Sequence, residues 1–162
     1  QAKPRREGLR SNLMASQQFC TFLLDGYLFG VPVPRVQEVI RSQEMTRLPL
    51  APEVVKGMIN LRGQIVVAID LRRRLELCER AGTELPINVV VRTPDGAVSL
   101  LVDEIGEVIE VEQTSFEAPP ETLRGAARSM ILGVHKLEGK LMHVLDTEKA
   151  SLIQAAESVA AS

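Results

Sequence analysis

Aromatic residues are scarce in this chain: four Phe, one Tyr and no Trp. That poverty argues against stacking platforms for single-stranded nucleic acid or for sugars. A charge of one sign is also missing. Nineteen Lys and Arg face 21 Asp and Glu for a net −2, so no bulk field invites nucleic acid. The two cysteines, Cys20 and Cys78, fit neither a metal spacing nor a disulfide framework, and Cys20 lies in an apolar run where a reduced, packed thiol is expected. No stretch approaches the roughly 20 apolar residues of a membrane helix. The opening QAKPRREGLRSNLMAS is basic but has no apolar stretch behind its charges, so it does not read as a signal peptide. The expectation is a soluble, cytoplasmic protein. Residues 1–16, with Arg5, Arg6 and Arg10, read as a disordered, solvated tail.

What is present is a string of short apolar segments punctuated by Gly, Pro and Asp-Gly. Phe19–Leu24 and Leu28–Val31 flank Asp25-Gly26, a pair that permits the positive φ of a two-residue hairpin loop. Pro32 and Pro34 stop a central strand there, and RVQEVI (35–40) reads as a helical turn or an edge segment. Met58–Leu61 and Gln64–Ile69 flank Arg62-Gly63, and Asp70 can cap a short helix. Further strands are expected at Ile87–Arg92, Ala97–Val102, Glu107–Val111, Met130–Leu137 and Lys140–Leu145. Leu152, Ile153, Ala156 and Val159 follow helical spacing and predict an amphipathic C-terminal helix over 147–160.

The pattern repeats. Gly57, Ile59, Leu61, Gly63, Ile65, Ile69 and Asp70 recur as Gly133, His135, Leu137, Gly139, Leu141, Leu145 and Asp146, at a constant offset of 76. Asp25-Gly26 likewise matches Asp95-Gly96, and Val36–Ile40 resembles Ile105–Ile109. Two similar β units are inferred, about 17–80 and 84–150, each with about five short strands. Closing each into a small barrel would remove most exposed edges, and packing the two together would give one shared core.

Catalytic patterns are missing. An apolar strand ending in Asp70 resembles a phosphoacceptor, but hairpin follows hairpin here and Asp146 repeats the residue, so both read as helix N-caps. His135 and His143 lie on the two arms of one hairpin without a recognisable third metal ligand. There is no G-x-S-x-G, no phosphate loop and no cysteine in a nucleophile context. Arg72-Arg73-Arg74 reads as a solvated helix face. Arg62 differs, because its repeat counterpart is Glu138: the fold does not demand Arg at that position, which leaves the side chain available for recognition. No enzyme, metal or cofactor is expected.

FLLDGYLFGVPVPRVQEVIR, TRLPLAPEVVKGMINLRGQIVVAIDLRRRL, VSLLVDEIGEVIEV and ILGVHKLEGKLMHVLD closely resemble the CheW family of bacterial chemotaxis adaptors, over about residues 17–153. The resemblance implies a mainly β fold: two interlocking, five-stranded, SH3-like barrels around a shared core. It also implies a non-enzymatic adaptor without cofactor, joining the cytoplasmic helical tips of methyl-accepting chemoreceptors to the regulatory domain of the histidine kinase CheA, and held by the receptors at the inner face of the membrane. Glu38 and Arg62 match positions implicated in receptor coupling. Val36, Val39 and Val108 match apolar positions at or near a groove between barrels, while Gly57 and Gly63 are expected to serve turns. Kinase contacts are expected at apolar strand ends without particular residues being assigned. The alternative is a CheW-like portion of a CheA-type kinase, or the adaptor half of a receiver fusion. His135 departs from the apolar alternation of its hairpin.

Overall fold

The computed structural model describes residues 16–78 and 85–152. The tail expectation therefore falls outside the described residues apart from Ser16, which already opens the first strand. Hairpins dominate because apolar alternation recurs between Gly-containing turns. β1 (Ser16–Leu24) and β2 (Tyr27–Pro32) flank Asp25 and Gly26, whose φ values of 51° and 83° are those the turn pair predicts. β3 (Val36–Ile40) follows one 3-10 turn, Val33–Arg35, as an edge strand. Then come β4 (Val55–Leu61), β5 (Gln64–Asp70), the one-turn helix α1 (Leu71–Arg74), β6 (Ile87–Thr93) and β7 (Gly96–Val102). β8 (Glu104–Glu112) leads through a 3-10 turn, Gln113–Ser115, to the two-residue β9 (Phe116–Glu117). The short α2 (Gly125–Met130), β10 (Ile131–Leu137), β11 (Lys140–Leu145) and α3 (Thr147–Ser151) complete the described chain. The C-terminal helix begins as expected but stops at Ser151. Leu152 is extended, and residues 153–160 lie outside the described residues.

Two sheets form, and their membership corrects the expected boundaries. One sheet has the order β9-β10-β11-β2-β1-β8, and the other β3-β6-β7-β5-β4. The second is built from the middle of the chain and the first from its two ends, instead of from 17–80 and 84–150. Each repeat gives its first hairpin to one sheet and its remaining strands to the other. The hairpin β1–β2 joins β11 through the parallel pairs Leu28 with Met142 and Phe29 with His143, and β7 joins β5 in the same way through Val98 and Val67. Sequence similarity finds the repeated units but not the exchange between them.

Each sheet is wrapped round by its own chain. β8 and β9 lie at opposite edges of one sheet yet are separated only by the turn Gln113–Ser115. In the other sheet, the chain leaving edge strand β3 reaches Thr46, which exchanges backbone hydrogen bonds of 2.9 and 2.8 Å with Met58 of the opposite edge strand β4. The repeat-equivalent Gly57 and Gly133 stand at these crossings. A Cβ on Gly57 would lie 2.6 Å from the Thr46 carbonyl oxygen, and one on Gly133 would lie 2.5 Å from that of Glu117. Gly57 is thus a strand residue kept bare by a crossing backbone, and not the turn residue expected; Gly63, with φ 88°, is one.

The packing follows the same plan. Phe19, Val111, Met142 and Val144 form an apolar cluster within the first sheet, and Ile59, Leu61, Val66 and Val90 another within the second. The largest cluster draws on both: Phe22, Leu24, Phe29 and Val31 meet Ile69, Val89, Leu100 and Val102, with Leu71, Leu75 and Ala150 of the helical segments around them. A polar clamp spans the same junction. Arg72 of α1 donates to Asp103 through Nε at 3.0 Å and Nη2 at 2.5 Å, while Asp103 Oδ2 also accepts from the Asp25 amide at 2.9 Å. The arginine run is therefore no solvated face. Arg73 pairs with Glu53 at 3.0 Å, and Arg74 Nη2 donates to the Lys149 carbonyl at 3.0 Å.

Substituting either crossing glycine should loosen the wrap. Gly57→Ala and Gly133→Ala are each expected to destabilise by about 1–3 kcal/mol, since backbone must move to admit the methyl. Urea denaturation measures this, and Gly26→Ala, where φ is positive but space is open, serves as a strain-only comparison.

Candidate functional site: a charged pair at a barrel seam

Arg62 occupies the tip of the β4–β5 hairpin with φ 51°, and Gly63 follows at 88°. The Asn60 side chain accepts from the Gly63 amide at 2.8 Å and steadies this turn. A left-handed Arg carries about 1–2 kcal/mol of backbone strain. The matching turn at Glu138-Gly139 avoids that strain, because only its glycine has positive φ. The turn presents the guanidinium to Glu38 on β3, and Arg62 Nη2 donates to Glu38 Oε2 in an ion pair. The Arg62 side chain is 73% exposed and that of Glu38 20%. Such a wet pair contributes about 0–1 kcal/mol to folding. It bridges the two edge strands of one sheet, and its guanidinium still faces solvent with donors to spare.

The three valines divide. A register shift between Val36 and Glu38 separates the directions of these residues. Val36 is half-buried against the shared core, and its carbonyl accepts from Arg92 Nη1 at 2.9 Å, so it is a packing residue and not an open groove wall. Val39, 40% exposed, and Val108, 57% exposed, are presented to solvent. They lie on edge strands of different sheets, β3 and β8, which share no ladder. The structure thus brings Glu38, Arg62 and Val39 to one sheet edge and places Val108 at the equivalent edge of the other. What sequence reading missed was the Arg72–Asp103–Asp25 clamp, for which a single sequence holds no signal, since 31 positions separate Arg72 from Asp103.

The residues suspected of chemistry have other duties. Asp70 and Asp146 each cap a helix, accepting from the Arg73 amide at 3.4 Å and the Lys149 amide at 3.1 Å. His143 pairs with Val134 across the β10–β11 ladder, so His135, one residue along, points to the opposite face and the two cannot share a metal. His143 Nδ1 lies 2.9 Å from the Leu28 carbonyl and must donate to it. His135 is 3% exposed, tilted against Phe19 and Phe116, and its Nδ1 lies 2.7 Å from Ser115 Oγ. Ser115 donates its only proton to the Glu112 carbonyl, at 2.9 Å, and so accepts from His135. That polarity is the reverse of an activated serine. Cys20 is partly buried, and burial pushes its thiol up in pKa, keeping it protonated.

An exposed ion pair and two exposed edge-strand valines on a frame of two sheets define a β-rich module. The chain belongs to the CheW-like domain family: the family model so described matches residues 18–154. Chemotaxis protein CheW of Treponema pallidum is 32% identical over 136 residues, covering 82% of this chain and 80% of the relative. Chemotaxis protein CheW of Bacillus subtilis is 28% identical, covering 85% and 88%. Protein PilI of Pseudomonas aeruginosa is 33% identical, covering 72% and 66%. Among solved structures, the scaffolding protein TtCheW from Thermoanaerobacter tengcongensis superposes with a TM-score of 0.75 at 28% identity, covering 83% of this chain and 91% of that one. Among the described residues, no helix is long and apolar enough to cross a membrane.

Two outcomes are expected here. Arg62→Gly should leave the melting temperature unchanged or raise it, because relieved strain offsets the lost pair, whereas Arg62→Val should lower stability by about 1–2 kcal/mol. Thermal denaturation of the two variants side by side tests this. Burial also lowers the pKa of His135. The unfolded imidazole then takes up its proton first, near pH 6.5, so stability is full well above that pH and falls as the pH drops below it. Urea titrations should show this loss in the parent and a flatter profile in His135→Gln.

Proposed function

We propose that this chain is a non-enzymatic adaptor of a bacterial chemosensory array. In this reading it joins the cytoplasmic helical tips of chemoreceptors to the regulatory domain of the histidine kinase CheA, at the inner face of the membrane. Support comes from membership of the CheW-like family and from relatives named as chemotaxis and scaffolding proteins. The observation that carries the site is the Arg62–Glu38 pair, a recognition-ready charge whose strained turn is not repeated at Glu138.

A receptor tip is a helical hairpin with an apolar stripe flanked by charges, and helix-in-groove binding suits it. Val39 and Val108 supply exposed apolar contact, while Arg62 and Glu38 set orientation and reject wrong partners. Val36 contributes by holding β3 on the core beneath them.

Arg62→Ala and Glu38→Ala are expected to weaken binding of a cytoplasmic receptor fragment by about 1–3 kcal/mol, as charges desolvated on binding require. Folding stability should change by less than about 1 kcal/mol. Calorimetric titration beside thermal denaturation measures both. Unchanged affinity in both variants would remove the pair from the interface.

A further inference from the structure

β8 is unlike the other long strands. It pairs only with β1, so one of its edges is free, and every residue from Glu104 to Val108 is exposed. Its nine residues carry Glu104, Glu107, Glu110 and Glu112 and no cation. None of these four carboxylates forms an ion pair with any described residue. Charges on an edge strand ordinarily discourage unwanted strand pairing. Here all are of one sign, and Ile105 and Val108 are exposed among them, which leaves an apolar edge guarded only against partners that are themselves acidic.

The chain supplies an occupant of the opposite charge. The fifteen residues before Ser16 contain Lys3, Arg5, Arg6 and Arg10 against the single carboxylate of Glu7. Ser16 is in register with Glu112, so this segment departs from one end of β8 itself. A nine-residue strand spans about 30 Å, and fifteen residues can reach about 50 Å, enough to turn and run the strand's length. The attachment point also keeps the cations within a few Debye lengths of the glutamates at ordinary ionic strength, as a local tether requires. A second copy of the chain is disfavoured, because two β8 edges would bring eight carboxylates together. We propose that the basic segment 1–15 lies along the free edge of β8 in the same molecule, its cations over Glu104, Glu107, Glu110 and Glu112, covering Ile105 and Val108. The segment then competes with any partner that uses this edge. The proposal goes beyond the adaptor reading and does not depend on it.

Residue-resolved hydrogen exchange on the full chain tests it without a receptor. At about 0.02 M salt, the charge reversal of Arg5, Arg6 and Arg10 to Glu should speed exchange of the β8 amides Ile105–Val111 roughly three- to tenfold, the scale of a few surface ion pairs. Raising salt to about 0.5 M should have the same effect on the parent. The double variant Glu107→Lys, Glu110→Lys should reproduce the loss, and combining it with the arginine reversal should restore protection. The melting temperature, read alongside, separates this from global destabilisation. The proposal is overturned if β8 exchange is the same in parent and arginine-reversed chains, if the combined variant shows no rescue, or if protection falls on dilution, which would assign the edge to a second copy.

Discussion

Everything in this molecule hangs on one apolar junction shared by two sheets. Phe22, Phe29 and Val31 come from the sheet made by the chain ends; Ile69, Val89 and Leu100 come from the sheet made by its middle. Each sheet has its own small interior cluster, but the largest cluster belongs to neither alone. Because the largest cluster takes side chains from both sheets, the exchange of hairpins between repeats makes each sheet part of the other's core. Arg72 and Asp103 sit at that junction and join α1, the β7–β8 joint and the β1–β2 turn.

The proposed recognition surface lies where that junction is not. Arg62 and Glu38 bridge the edges of one sheet at its solvent side, where an ion pair costs and contributes little. Strain at the Arg62 turn is tolerated because the hairpin on either side is held by Ile59, Leu61 and Val66 in the barrel interior. A chemically free tip on a fixed base is what a docking residue needs: its identity can change without unfolding the protein, and its position cannot drift.

The sequence reading went far on local structure. Asp-Gly and Arg-Gly pairs located the hairpins, and the offset of 76 identified Asp70 with Asp146 and Gly57 with Gly133. Those signals are short-range or repeated, so alternation and turn chemistry suffice to read them. The hairpin exchange was unreadable because both pairings bury the same apolar faces. Gly57 was misread as a turn residue because its reason lies in Thr46, a residue eleven positions away that crosses it. The buried setting of Val36 was also missed, since a register shift at the edge of β3 breaks the alternation on which face assignment rests. Family resemblance singled out Glu38 and Arg62 separately; periodicity alone would have offered no link between them.

The central claim is that the two sheets stand or fall as one. Residue-resolved hydrogen exchange across a urea series tests it, with Val66 reporting the interior of one sheet and Met142 that of the other. The account predicts that both amides converge on the same unfolding free energy and the same urea dependence. Two separate free energies, with one sheet opening while the other stays protected, would contradict it.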